Sequence, residues 1–254
     1  MEGEKGICLY GVIWAESLAA PRPGEMGIGG ADLRLVDHGD LAAVVSTAGA
    51  DLTADRPSAR QLRRDLAAHA EALNRMSGRG DILPVRFGVV FPDEATLVAE
   101  LLVGCHDELV GELRRLGGAI AVSLNVAYDE QSVLAEVVRE RPQLKRRATA
   151  LAERIDLGER IALAVREKKE REAARLLDRL SPFAREVAVH DTGLDMQLLR
   201  ASFLVDRGRI GEFDAAVDRI QKEAGSRLKL ACVGPLPPYS FVRTRLTAGD
   251  AVEA

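Results

Sequence analysis

Runs of apolar residues and their spacing predict strands and helices along the first third of the chain. An almost wholly apolar run from Ile7 to Trp14 is typical of a strand that is buried on both faces. Residues 31–36 and 41–46, joined by a turn at 37–40, indicate a β-hairpin. From Ser58 apolar positions recur every three or four residues, which predicts a helix whose buried stripe comprises Leu62, Leu66, His69, Leu73 and Met76.

The segment from Ile82 to Phe91 has the composition of a strand with an arginine inside it. Pro84 near its start and Gly88 in its middle indicate an edge strand or a bulge. Arg86 would there either form a salt bridge between two elements or bind a phosphate or carboxylate ligand. Asp93 then caps a single predicted helix with a leucine-rich face, which ends at the glycine pair 117–118.

The second half of the chain predicts the order β, α, β, β, α, β. Strands are expected at residues 119–128, 183–189, 196–205 and 228–233, and the last helix at 210–224. This split βαβ order is that of a ferredoxin-like fold. Its first crossover is enlarged by a helix-rich insertion, residues 131–180, in which Leu157, Ile161 and Val165 are expected to face inward and the mixed charges outward.

We therefore predict an α+β protein of two domains followed by a C-terminal strap. The domains are an N-terminal α+β domain, residues 1–116, and a modified ferredoxin-like domain with a helical insertion, residues 117–234. Residues 235–254 form the strap and tail.

The strap is predicted from its prolines and aromatic residues. Pro235, Pro237 and Pro238 interrupt both helix and sheet, which favours a stiff, polyproline-like segment. On an extended segment Tyr239 and Phe241 point to the same side, so both are expected to anchor the strap.

We expect this anchor to lie in the cleft between the two domains, with the strand that carries Arg86 lining one wall. The alternative is a proline-rich exit to a disordered tail, and residues 243–254 have the composition of one.

Composition restricts the function classes. Apolar residues make up 47% and charged residues 29% of the 254 positions, which is typical of a globular protein with a core. The formal charge of -4 argues against a general nucleic-acid binder. No apolar run approaches the roughly 20 residues of a membrane span and no signal segment begins the chain, so a cytoplasmic protein is expected.

Charge is unevenly distributed. Residues 139–179 contain 13 Lys and Arg against 8 Asp and Glu, a local balance of +5 that leaves -9 for the remainder. Such asymmetry can steer partners, and it makes the insertion the candidate partner surface. The cationic residues singled out there are Arg146, Arg147, Lys168, Lys169 and Arg171.

No sequence motif indicates catalysis, a cofactor or a metal ion. The segment Gly27-Ile28-Gly29-Gly30 lies between strands and lacks the spacing of a phosphate loop. The three cysteines are far apart in apolar surroundings, which indicates reduced core thiols, and His69 is expected to be a hydrogen-bonded core residue. The best catalytic group that the sequence offers comprises His190, Asp191 and Asp195, with Ser202 or Tyr128 nearby, but an Asp- and Gly-containing turn requires such residues for backbone reasons alone.

Several segments, in order, resemble the gas vesicle protein GvpF/GvpL family. The most specific are Leu83-Pro84-Val85-Arg86-Phe87-Gly88 and Gly234-Pro235-Leu236-Pro237-Pro238-Tyr239-Ser240-Phe241-Val242. Leu9-Tyr10-Gly11, Val44-Val45-Ser46, His69 and Ala201-Ser202-Phe203-Leu204-Val205 complete the match, which covers about residues 7–242. Leu236 stands where tryptophan is common in the family, and Ala201-Ser202 replaces a frequent Asn-Ala pair.

The resemblance implies a non-enzymatic accessory protein of the gas vesicle, without a cofactor. It implies two domains, the second ferredoxin-like with a helical extension, and a tail that ties them together. The implied partners are the small hydrophobic shell protein of the GvpA type and other accessory proteins, during nucleation or early growth of the gas-filled shell. The residues Pro84, Arg86, Phe87, Gly88 and His69 are then structural motif residues. A small-molecule or phosphate-binding regulatory protein with the same fold is the alternative.

Overall fold

A computed structural model describes residues 6–48, 58–145, 150–193 and 196–244 of the chain. It is an α+β structure that divides into two compact units. The first unit contains the residues up to Ala121 together with those from Pro235, and the second contains Val122–Gly234. The strap thus belongs to the first unit, and the boundary falls within a strand that runs from Ala119 to Tyr128.

The first unit is built on an antiparallel sheet whose central strand is β1, Ile7–Trp14. On one side of it lie β3, Leu41–Thr47, and then β2, Arg34–His38, which form the predicted hairpin. On its other side β1 pairs with β4, Leu83–Pro84, and β5, Val90–Phe91. All of β1 but its last residue is buried, as its apolar composition predicts.

Residues 82–91 are a correction to the prediction of a single strand. The segment is divided into β4 and β5 by a turn at Phe87 and Gly88. Gly88 has φ +96°, a left-handed conformation that side chains other than glycine rarely adopt. Instead of the predicted edge strand or bulge, the segment therefore contains a turn between two short strands that both pair with β1.

Helix α1, Ala59–Ser77, begins after the cap Ser58, whose Oγ accepts a hydrogen bond from the N–H of Gln61 at 3.2 Å. Its C-terminal half buries Leu73 and Met76 as predicted. Leu62 and Leu66, predicted on the same buried stripe, are instead 39% and 43% exposed. The apolar stripe therefore covers the sheet only along the second half of the helix.

The predicted helix after Asp93 is interrupted, which the leucine spacing did not indicate. It comprises α2, Glu94–Leu97, a π-helical segment, Val98–Val103, and α3, His106–Leu116. Asp93 accepts the N–H of Thr96 at 2.7 Å, as a capping residue should. Because the π-helix shifts the register, the leucines before and after it no longer follow one helical stripe.

The second unit has the predicted order of elements. Its strands are β6, Ala119–Tyr128, β7, Glu186–Val189, β8, Gln197–Asp206, and β9, Leu228–Leu236; its helices are α4, Glu130–Glu140, α5, Leu151–Leu180, and α6, Ile210–Ala224. The strands lie in the order β7-β8-β6-β9. That arrangement fits a ferredoxin-like sheet whose first crossover contains α4 and α5.

One core fills the second unit between its sheet and its helices. Phe203 of β8 and Phe213 of α6 contact each other with ring centroids 5.1 Å apart, and Val165 and Leu180 of α5 belong to the same cluster. At the other end of α5, by contrast, Leu151 and Ile155 are 72% and 55% exposed. Only part of the insertion helix is therefore covered by its own unit.

Candidate partner-binding site

An apolar groove runs along α5 in the second unit. Between this helix and the turn that joins β7 to β8 lies a cavity of about 630 Å³. Apolar side chains from α4, α5 and β8 make up most of its wall, namely Leu134, Ile161, Val165, Ala173, Leu177, Met196 and Leu198. The turn residues 189–193 form the opposite rim, and Val189 there is 58% exposed.

The exposed end of α5 continues this groove. With 100° per residue, Leu151 and Ile155 fall on the same face of the helix as Gly158, Ala162 and the other cavity-lining residues. The spacing of Leu151, Ile155, Gly158, Ala162 and Val165 is four, three, four and three residues, which is the repeat of a helix seam that packs against another element. We call this face and the cavity together the α5 groove.

Charged side chains of both signs line the groove. Arg166 and Glu170 both line the cavity, and neither forms a hydrogen bond or ion pair with any described residue. Opposite charges four residues apart on one helix face leave little net field. Most of the groove wall is apolar, and this apolar surface is its main feature.

The predicted catalytic candidates do not form an active site. His190 lines the cavity, but its Nε2 and the Ser202 Oγ, 2.9 Å apart, use each other as hydrogen-bond partners. Asp191 accepts the N–H of Gly193 within its own turn at 3.0 Å, the backbone role expected of it, and Asp195 lies outside the described residues. Among the residues that the structure describes, no group of three or more His, Cys, Asp or Glu side chains could hold a metal ion.

The cationic residues predicted as a partner surface are in different environments. Lys169 lines the α5 groove, and Arg171 is exposed on another side of α5. Lys168 is only 5% exposed, so its prediction as a surface residue is wrong. Arg146 and Arg147 lie outside the described residues.

Lys168 is buried because it is the centre of an ion cluster. Its Nζ lies 3.1 Å from Glu136 Oε2 and 3.2 Å from Glu172 Oε1, and it also contacts Glu140. Arg227, which precedes β9, pairs with Glu136 at 2.6 Å and with Glu172. Burial would lower the pKa of Lys168, but the three carboxylates outweigh it and hold that pKa above its usual range. The cluster ties α4 and α5 to the start of β9.

The strap follows a different path from the one predicted. Strand β9 continues through Pro235 to Leu236, which an edge strand permits, so only Pro237 and Pro238 interrupt it. Residues Tyr239–Phe241 then form one turn of 3-10 helix. This turn separates the two aromatic rings, and Phe241 is 4% exposed whereas Tyr239 is 38% exposed.

A buried carboxylate on α3 fixes the strap within the first unit. Glu112 accepts the N–H of Arg243 at 2.9 Å and pairs with Arg115 at 2.8 Å, and Arg115 in turn donates to the carbonyl of Phe241. Burial pushes the pKa of Glu112 up, but the hydrogen bonds from Arg115 and Arg243 outweigh it and hold the pKa below its usual range. The strap is thus an anchored segment, and its predicted place in a cleft between domains stays a prediction.

The remaining motif residues have structural environments in the first unit. His69 is buried, stacks on Tyr10 with centroids 5.0 Å apart and meets the edge of Phe87 at 5.7 Å. Tyr10 accepts the N–H of Ile28 at 2.7 Å, so the glycine-rich loop serves as a cover for this ring. Pro84 is buried, whereas Arg86 is exposed and forms no ion pair with a described residue, so its salt-bridge interpretation is wrong.

Comparison with known proteins identifies the family. The family model described as "Gas vesicle synthesis protein GvpL/GvpF" matches residues 6–243. The chain belongs to the gas vesicle GvpL/GvpF family. This is a family of gas vesicle accessory proteins and not of enzymes.

Relatives of both types are similar to this GvpL/GvpF chain. Gas vesicle protein F of Streptomyces sp. strain CB03234 is 33% identical over 243 residues, which cover 92% of this chain and 98% of the relative. Gas vesicle protein L of the same organism is 32% identical and covers 86% of each chain. The crystal structure of GvpF from Anabaena sp. PCC7120 superimposes with a TM-score of 0.78 at 23% identity, over 94% of this chain and 99% of that one. The fold is therefore that of the GvpF structures.

No described helix is both long and apolar enough to pass through a bilayer.

The α5 groove was not predicted from the sequence. Leu151 and Ile155 could have suggested it, since two large apolar residues precede the first predicted inward position, Leu157, on a different helix face. The cavity, in contrast, lies between α5 and residues 189–193, which are brought together by tertiary contacts that no local pattern specifies.

Proposed function

We propose that this chain assists assembly of the gas vesicle by binding the small hydrophobic shell protein through the α5 groove. It would act in the cytoplasm, together with other accessory proteins, when the shell is nucleated and begins to grow. Membership of the GvpL/GvpF family supports the gas vesicle role. The α5 groove is the observation that carries the finer claim.

The physical argument concerns apolar surface that must be covered. A shell subunit with an apolar gas-facing side aggregates in water unless another surface protects it before assembly. The α5 groove offers a concave apolar wall with exposed Leu151 and Ile155 beside it. Burial of apolar area contributes roughly 25 cal/mol per Å², so an interface of about 1,000 Å², the size of a weak transient one, would offset the cost of association.

Co-expression of this chain with the shell protein of the same gene cluster tests the proposal. We expect the shell protein to be recovered in the soluble fraction and to co-purify with the chain. Replacement of Leu151 and Ile155 by serine should abolish both effects. Val103→Ser is the matched control, because Val103 is 52% exposed, close to the 55% of Ile155, but lies in the first unit.

Two outcomes would contradict the proposal. Shell protein that neither binds the wild-type chain nor becomes more soluble would leave another accessory protein as the partner. Capture that survives the double replacement but is lost in the Val103→Ser variant would place the binding surface in the first unit instead.

A further inference from the structure

The α5 groove is complementary to a second copy of itself. A self-complementary surface satisfies two-fold symmetry when each feature on one side of a centre has its counterpart on the other. On α5 the centre of this arrangement is Ala162, which is small and exposed. The exposed Leu151 and Ile155 lie on one side of it, and the cavity-lining residues Val165, Lys169 and Ala173 lie on the other.

The apolar features match when two α5 helices cross antiparallel at Ala162. Leu151 and Ile155 precede this residue by eleven and seven positions, and Ala173 and Lys169 follow it by the same numbers. With 1.5 Å per residue, Leu151 of one copy therefore lies beside Ala173 of the other, about 16 Å from the crossing point. Ala173 and Lys169 both line the cavity. The exposed side chains of each copy thus meet the cavity of the other.

The charges match to within one residue of this register, because Glu159 precedes Ala162 by three positions and Arg166 follows it by four, an offset of about 1.5 Å along the helix. Glu159 and Arg166 are seven residues apart, so they lie on the same flank of α5, about 20° from each other around the helix. Neither forms an ion pair or hydrogen bond through its side chain with any described residue. In an antiparallel pair of helices, flanking residues of this kind face each other. Glu159 of one copy then faces Arg166 of the other, and the pairing occurs twice.

The crossing point itself allows close approach. Gly158 lies one turn from Ala162 on the seam, and a Cβ added there would meet nothing within 4 Å. Nothing within the described chain therefore requires a glycine at this position, although glycine in a helix interior costs about 1 kcal/mol relative to alanine. Small residues such as Gly158 and Ala162 would allow the backbone of a second helix to approach closely at this point.

We propose that, in the free protein, two copies of this chain pair antiparallel through their α5 grooves. The pairing rests on the groove's own features and not on the shell protein. Its consequence for assembly does rest on the proposed function: because both partners use one face, the pair must open before the shell protein binds. Self-association would then keep the apolar groove covered until assembly begins.

Charge reversal in the full-length chain tests this pairing. The measurement is the mass by sedimentation equilibrium over about 1 µM to 1 mM, the range in which transient pairing is resolved. Wild type should show a concentration-dependent dimer. Glu159→Arg and Arg166→Glu should each weaken it about tenfold or more, because each replaces two attractions by two repulsions. The combined variant, E159R with R166E, should restore the dimer to within a few-fold of wild type.

Arg160→Glu is the control, because Arg160 lies on the outer side of α5 and pairs there with Asp156 at 3.8 Å. It should leave the dimer unchanged. A wild-type chain that stays monomeric over the whole range would overturn the proposal. A combined variant whose dimer is as weak as those of the two single variants would overturn it as well. Capture of the shell protein by wild type is measured separately, so a monomer that still binds it would refute the pairing alone.

Discussion

At the scale of single residues, the two aromatic side chains of the strap have different roles. Phe241 is buried, and Arg115 and Glu112 hold the backbone at Phe241 and Arg243, whereas Tyr239 is 38% exposed. We expect Phe241→Ala to lower the free energy of unfolding by about 3 kcal/mol and Tyr239→Ala by less than about 1 kcal/mol. Thermal unfolding of both variants measures this. A Phe241→Ala variant that melts like wild type would mean that the strap is not anchored.

A buried histidine makes stability depend on pH. Burial lowers the pKa of His69 to about 4; Nε2 has no partner among the described residues, and the other ring nitrogen donates to the Leu9 carbonyl. An unfolded chain has a histidine pKa near 6.5. Above pH 6.5 His69 is neutral in both states and imposes no penalty on folding. As the pH falls from 6.5 to 4, the unfolded chain binds a proton that the folded state does not, and the free energy of unfolding decreases by up to about 3 kcal/mol.

Urea unfolding of wild type and His69→Met between pH 7.5 and 4.5 checks this sign. Carboxylates contribute to acid destabilisation in both proteins, so the difference between the two curves isolates the histidine. We expect the wild type to lose more stability than the variant over this interval. Parallel curves would show that His69 is not neutral and desolvated in the folded state.

Two glycines provide a matched pair for backbone effects. At Gly158 an added Cβ meets nothing within 4 Å, whereas at Gly104 it would lie 2.5 Å from the carbonyl oxygen of Glu100. Gly158→Ala should therefore raise the free energy of unfolding by about 0.5 to 1 kcal/mol, and Gly104→Ala should lower it. Chemical denaturation distinguishes the two, and equal effects would contradict the local geometry.

At the scale of elements, a buried ion cluster holds the insertion helices to the ferredoxin-like sheet. Lys168 faces Glu136, Glu140 and Glu172, and removal of its charge leaves three carboxylates close together. We expect Lys168→Met to destabilise the second unit by about 2 to 4 kcal/mol. Arg171→Met, which removes a half-exposed cation one turn away, should cost less than about 1 kcal/mol. Urea unfolding measures both losses. Equal losses of stability would show that the ion cluster is not what holds α4 and α5 to the sheet.

The sequence predicted those elements whose pattern is purely local. The uninterrupted apolar run of β1 and the evenly spaced inward residues of α6 gave the correct bounds, because one core covers each of them. The π-helix after α2 was missed, since apolar positions three or four apart fit a continuous helix equally well. The path of β9 through Pro235 was missed because an edge strand tolerates a proline that a central strand does not.

Side-chain environments were predicted less well than elements. Lys168 belongs to a run of mixed charges that is typical of a solvated helix face, and only α4 and Arg227, distant in sequence, bury it. Arg86 is likewise exposed and forms no ion pair with a described residue, although its place in an apolar run favoured a salt bridge. Burial of charges depends on tertiary contacts, which periodicity does not encode.

At the scale of the whole molecule, the two units differ in how much of their apolar surface they cover. The first unit contains a close-packed sheet and a strap fastened by Glu112, and the second carries a long helix of which one end is uncovered. A contiguous exposed apolar surface on a globular protein is typical of a site that another surface covers. Under the proposed function, this uncovered face of α5 is the surface that would contact apolar shell subunits.

The most direct measurement is complementation in cells that lack this gene, with gas vesicles counted by electron microscopy. Wild type should restore them, Val103→Ser should restore them equally, and the chain with Leu151→Ser and Ile155→Ser should yield few or none while it remains folded by thermal unfolding. Gas vesicles at wild-type number in cells with the groove variant would contradict the central claim that the α5 groove carries the assembly function.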